Sequence, residues 1–127
     1  MRSYKWAVVV DVVCVIIFAI TGVLSHNEAL TGGTLLRVGT PFLVGLLLGH
    51  AFMRTWRVEP TRVWPHALMV VAVEIATAMV IRSAIGDGTA TAFVIVSILV
   101  NLLLLVGWRV VVRLLLGRRR AAAATAE

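Results

Sequence analysis

The sequence predicts an all-α fold: an integral membrane bundle of four transmembrane helices, arranged up-down-up-down, with N and C termini cytoplasmic. Three observations carry this. Residues 93–116 (FVIVSILVNLLLLVGWRVVVRLLL) are uncharged as far as Trp108 and then run into Arg109, Arg113 and the triplet Arg118, Arg119, Arg120. About 20 apolar residues in a helix rising ~1.5 Å per residue cross a hydrocarbon core of ~30 Å. The composition is 61% hydrophobic and 14% charged, against roughly half and a quarter in soluble domains. The Lys and Arg residues, which give a net charge of +6, fall in the gaps between apolar runs, so they read as topology signals and not as a face for nucleic acid.

Each element follows from its own residues. Residues 6–24 form the first span, after Arg2 and Lys5. Its length, the interruption at Asp11 and the exit Leu24-Ser25-His26, which lacks a small-x-small cleavage pattern, argue against a removed signal peptide. A short polar connection over 26–34 leads to the second span, 35–53, where Pro41 cannot donate to the carbonyl of Arg37 and is expected to kink the helix. The loop 54–65 (RTWRVEPTRVWP) joins Arg54, Arg57 and Arg62 to Trp56 and Trp64, as at a cytoplasmic membrane interface. The third span, 65–81, opens on Pro65, which a first helical turn tolerates. The fourth covers about 92–114. Together they make one domain over 1–116, followed by a basic, then Ala-rich tail, 117–127, expected to lack fixed structure beyond its arginines.

In this arrangement Arg2, Lys5, Arg54, Arg57, Arg62, Arg113 and Arg118 to Arg120 share one side, with Arg37 and Arg82 on the other. Positive charge marks the cytoplasmic side, which places the protein in a cell membrane as a multi-pass chain.

Charged side chains inside spans cost ~2.5–3.5 kcal/mol at a helix centre on insertion scales, so they face the bundle interior and find partners. Sorted by depth, Asp11, His50 and Arg109 make one layer near the cytoplasmic end, in which Asp11 is expected to pair with Arg109 and His50 to join them. The alternative is that Arg109 snorkels to the headgroups beside Trp108. Glu74 and Asn101 make a deeper layer. There the glutamate is either a proton or cation site or a protonated group hydrogen-bonded to an amide such as Asn101. Gly45-x-x-x-Gly49 allows close helix approach, within the bundle or between subunits. Arg37, Arg82, Asp87, His26 and Glu28 read as residues where helices meet water. Residues 93–116, carrying both Asn101 and Arg109, are the candidate inner helix.

No phosphate loop, metal-spaced Cys/His cluster or G-x-S-x-G occurs. The single Cys14 has no partner in the chain, and axial ligation of a haem by His50 and His66 is the one cofactor geometry worth testing. Asp11, Thr21-Gly22, His26, Thr40-Pro41-Phe42, Trp64-Pro65, Arg82, Phe93-Val94 and Leu105-Val106-Gly107-Trp108-Arg109 follow one another in an order and spacing that resemble a bacterial family of small four-span membrane proteins, domain-of-unknown-function family 3054. The resemblance runs from about Trp6 to Arg113 and implies an integral membrane protein, with no activity or site residue to carry over. His66 departs from it, standing where a small residue is expected. The functional expectation is a permease or channel-like protein working as a homo-oligomer. Its rivals are a noncatalytic accessory or assembly subunit of a membrane complex, and a lipid- or quinone-handling protein.

Overall fold

A computed structural model describes residues 2–126. Met1, Glu127 and the side chains of Arg2 and Ser3 lie outside it, and with them Arg2's part in the charge asymmetry and the end of the tail. In chain order come α1 (Arg2–Ser25), α2 (Gly32–Phe52), a 3-10 turn (Thr55–Arg57), a π-type turn (Val63–Ala67), α3 (Leu68–Ala84), α4 (Thr91–Asn101), a second π turn (Leu102–Val106) and α5 (Gly107–Thr125). The π turn at Leu102–Val106 joins α4 and α5 into one continuous rod, Thr91–Thr125, and the segment Val63–Ala84 is broken at Trp64 before it runs into α3. Among the described residues four helices are long and apolar enough to cross a membrane.

Local sequence sets the ends. Thr31 and Thr34 form a reciprocal cap at the start of α2, each hydroxyl accepting the other's backbone N–H at 3.2 and 3.0 Å. α2 then runs unbroken through Pro41. Trp64, directly before Pro65, is extended (φ −98, ψ 134), because a residue preceding proline is forced out of the helical region. Past Arg120 the structure departs from expectation. α5 continues to Thr125, since the run Ala121–Ala124 has the highest intrinsic helix propensity and no glycine or proline stops it.

The packing is that of a protein whose surroundings are as apolar as its interior. Val9, Ile17, Leu47, Val80, Leu99 and Leu103 are all exposed, so helix contact depends on close backbone approach and not on hiding apolar surface. Gly45 and Gly49 supply that approach inside the chain. A Cβ on Gly45 would overlap the Glu74 carbonyl and sit 2.9 Å from its Cα, and one on Gly49 would lie 2.8 Å from the Val70 carbonyl. Gly39 faces Ala19 of α1 with more room: a Cβ there would lie 3.5 Å from the Ala19 Cβ, an ordinary contact. Phe42 closes the centre, edge-on to Phe18 of α1 at 4.7 Å and to Phe93 of α4 at 6.3 Å.

The tightly packed centre is thus α2 against α3, which corrects the expectation that residues 93–116 form the inner helix. Only 17% of the apolar window of that rod is buried, against 39% in each of the other three. The physical reason is side-chain size. α4 and its extension offer one narrow buried stripe, Ser97, Asn101, Leu105 and Arg109, among bulky aliphatic residues that face outward.

That stripe explains the π turn. Its members are four residues apart, and in a regular α-helix each such step overshoots a full turn by ~40°, so three steps would swing Arg109 ~120° away from Ser97. One wide turn holds an additional residue and removes ~100° of that drift. The four side chains stay on one face.

Candidate functional site

Asp11 is the centre of the principal cluster and is fully buried. Its two oxygens receive a fork from Arg109, Nη1 to Oδ1 at 2.8 Å and Nη2 to Oδ2 at 2.6 Å. The indole Nε1 of Trp108 also donates to Oδ1, at 2.8 Å. The His50 Nε2 lies 3.0 Å from Oδ2, while its Nδ1 meets the Thr55 hydroxyl at 2.9 Å. Charge-assisted, bidentate geometry of this kind is the strong form of the carboxylate–guanidinium pair.

Arg109 is spent almost completely. Besides Asp11, its Nη1 donates to the Leu105 carbonyl at 2.6 Å and its Nε to the Pro60 carbonyl at 3.0 Å. Four of its five N–H groups are therefore engaged, and the guanidinium lies 4.5 Å from the Trp108 ring centroid. Trp108 in turn packs edge-on to Trp6 at 5.2 Å. The wide turn contributes here too. Two of its carbonyls receive side-chain donors, Leu105 from Arg109 and Leu104 from the Cys14 thiol at 3.9 Å. The cluster thus ties α1, α2, α5 and the 54–62 loop together, and Arg109 does not snorkel outward: it is 4% exposed.

A cavity of about 20 Å³, measured as the space open to a water centre, lies beside this cluster and is lined by Tyr4, His50, Thr55, Glu59, His66 and Arg109 among others. That is room for one water. Buried His66 Nδ1 has no protein partner. A haem between His50 and His66 does not fit: both His50 nitrogens face Asp11 and Thr55, and the cavity that both histidines line has room for one water and not for a macrocycle. Among the described residues, no group of three or more His, Cys, Asp and Glu is arranged to hold a metal.

The second polar layer has the opposite character. Glu74, Ser97 and Asn101 are all fully buried, yet both Glu74 oxygens, the Ser97 hydroxyl and the Asn101 Oδ1 lack any hydrogen-bond partner. Two contacts fix their relative level. Arg82 stacks on Phe93, and Val71, Ile75 and Met79 share one groove with Val94, Ile98 and Leu102, so eight residues inward along each helix Glu74 of α3 is level with Asn101 of α4, with Ser97 one turn before it. No N–H of the Asn101 amide donates to Glu74. Asn101 Nδ2 donates instead to the Ser97 carbonyl one turn back, at 2.8 Å, a local acceptor available in any helix.

The opposite end of the bundle also differs from expectation. Arg37 does meet water and pairs with Glu28 at 2.8 Å. Arg82 is only 9% exposed. Its guanidinium stacks 4.3 Å from the Phe93 centroid, its Nε donates to the Gly88 carbonyl at 3.1 Å, and Asp87 stands 3.7 Å away. Sequence reasoning also missed Trp108, Thr55 and Pro60 as partners of Asp11, His50 and Arg109.

Four rods long and apolar enough to cross a membrane, fastened internally by a buried ion cluster, define a helical protein of the integral membrane type. Over residues 8–112 the sequence matches the family model described as Protein of unknown function (DUF3054), and the chain belongs to that family. No curated protein and no solved structure matches it.

Proposed function

We propose that this chain is a multi-pass protein of the cytoplasmic membrane, an up-down-up-down bundle with both termini on the cytoplasmic side, acting as a permease or channel-like protein built from several copies. Contact order supports the topology. Position numbers fall along α3 as they rise along α2 (Gly45 to Glu74, Gly49 to Val70), and fall along α1 as they rise along α2 (Gly39 to Ala19, His50 to Asp11). The charge asymmetry supports the orientation.

One observation carries the functional reading: a fully buried glutamate whose two oxygens have no partner, level with two further unpartnered oxygens. A polar group left unsatisfied in an apolar interior is costly, and a structure that retains one has a use for its binding capacity. In this reading Asp11, His50 and Arg109 hold the helix ends while Glu74 and Asn101 take up the transported or coupling ion. The test is flux in reconstituted vesicles carrying wild-type protein or Glu74→Gln. A proton or cation flux is expected for wild type and not for the variant, and a flux that survives Glu74→Gln removes this residue from the pathway.

A noncatalytic accessory subunit is the second reading, favoured by the small size of the cavity beside the Asp11 cluster, which has room for one water. Here the same polar residues fasten helices only. Native mass spectrometry from lipid discs separates the two: the first predicts a homo-oligomer, the second a foreign subunit in fixed ratio. A lipid- or quinone-handling role has in its favour an open apolar groove of about 480 Å³ between α3 and α4, lined by Val71, Ile75 and Ile98 among others.

A further inference from the structure

The ion can be named from the chemistry of the deeper layer, an inference that rests on the reading of Glu74 as the site of ion uptake. We propose that Glu74, Ser97 and Asn101 form a proton-binding site in which the Glu74 carboxyl carries the proton and shares it with the Asn101 Oδ1 or the Ser97 hydroxyl.

Hydrogen-bond accounting supports a proton. The layer holds four unpartnered oxygens, all able to accept. Against them stand two donors, the Ser97 O–H and the Asn101 N–H left over once its partner is given to the Ser97 carbonyl. A proton on Glu74 adds a donor where donors are short, and occupies no volume. A hard metal cation asks for more: about six or more oxygen ligands around a space of its own size. Four oxygens are on offer, neither the cavity beside His50 nor the groove between α3 and α4 reaches Glu74, and Gly45 is pressed onto the Glu74 backbone.

Charge accounting agrees. The titratable groups close enough to exchange charge effects with Glu74 are Asp11 and Cys14 on α1, and the cluster around Asp11 adds His50 of α2 and Arg109 of α5. Among the described residues two guanidiniums are buried: Arg109 is already matched by both oxygens of Asp11, and Arg82 at the other end stacks on Phe93 beside Asp87. His50 is turned to Asp11 and Thr55. No cation is left to balance a carboxylate at Glu74, whereas a bound proton leaves the layer neutral.

The test combines infrared spectroscopy with flux in the same vesicles. The difference spectrum between wild type and Glu74→Gln at neutral pH is expected to contain a protonated-carboxyl C=O band that shifts in D2O and moves again in Asn101→Leu or Ser97→Ala. Proton flux by wild type is expected to fall to the level of empty vesicles in Glu74→Gln. A spectrum with no such band overturns the proposal, and a Glu74-dependent sodium or potassium flux without the band overturns it while leaving the permease reading intact. A band without any flux upholds the proton site and ends the permease reading. Glu74→Asp, which keeps a carboxyl, serves if Glu74→Gln does not assemble: its band is expected at an altered frequency.

Discussion

Asp11 accepts from a forked guanidinium and an indole, with an imidazole in contact, in a region where water is scarce. Breaking such a pair leaves a charge without its counterpart, which costs about 3–5 kcal/mol, whereas replacing both members by apolar groups of similar size is often neutral or favourable. Arg109→Met and Asp11→Asn are each expected to lower unfolding stability in detergent by that amount. The double variant Asp11→Leu/Arg109→Met is expected to recover most of it, as a denaturation cycle would measure. Much of this cluster could be read from sequence, because a charge inside an apolar run announces both its depth and its need for a partner. The neighbours that complete it could not. Pro60 contributes a backbone carbonyl, Thr55 lies in a loop, and Trp108 looks like any interfacial tryptophan. Arg82 was misread for a related reason: its position at the end of a span says nothing about the Phe93 ring that covers it.

At the level of elements, the wide turn at Leu102–Val106 and the glycines of α2 make opposite predictions for small changes. Deleting Leu103, which points outward, should convert the turn to regular helix with the register on both sides kept. The variant is expected to fold with the Asp11–Arg109 pair intact. Inserting an alanine at the same place should rotate α5 by ~100° and cost what Arg109→Met costs. Gly45→Ala drives a methyl into the Glu74 backbone and is expected to destabilise the bundle by about 1–3 kcal/mol or more. Gly107→Ala meets nothing within 4 Å and should be neutral or slightly stabilising, since alanine favours helix by ~1 kcal/mol; melting of both in one detergent checks the contrast. Four helices were legible from hydropathy, but their ranking was not. Apolar length marks the residues 93–116 most strongly, while centrality is decided by small residues, which allow two backbones to meet and contribute little to hydropathy.

For the whole molecule, the proposed topology can be checked with single cysteines in a Cys14→Ser background. A membrane-impermeant maleimide is expected to label Glu28→Cys in intact cells and Thr125→Cys only after permeabilisation; the reverse pattern would invert the bundle. The span of the Asp11–Arg109 pair along the chain, 98 residues, also bears on how the protein is made. With synthesis at about 5–20 residues per second, the carboxyl of the first helix is finished roughly 5–20 s before its guanidinium exists. Over that interval the nascent chain holds an unmatched acid, and the bundle cannot close until its last span leaves the ribosome. A chain cut short before Arg109 therefore keeps, in its first helix, a carboxylate without its guanidinium.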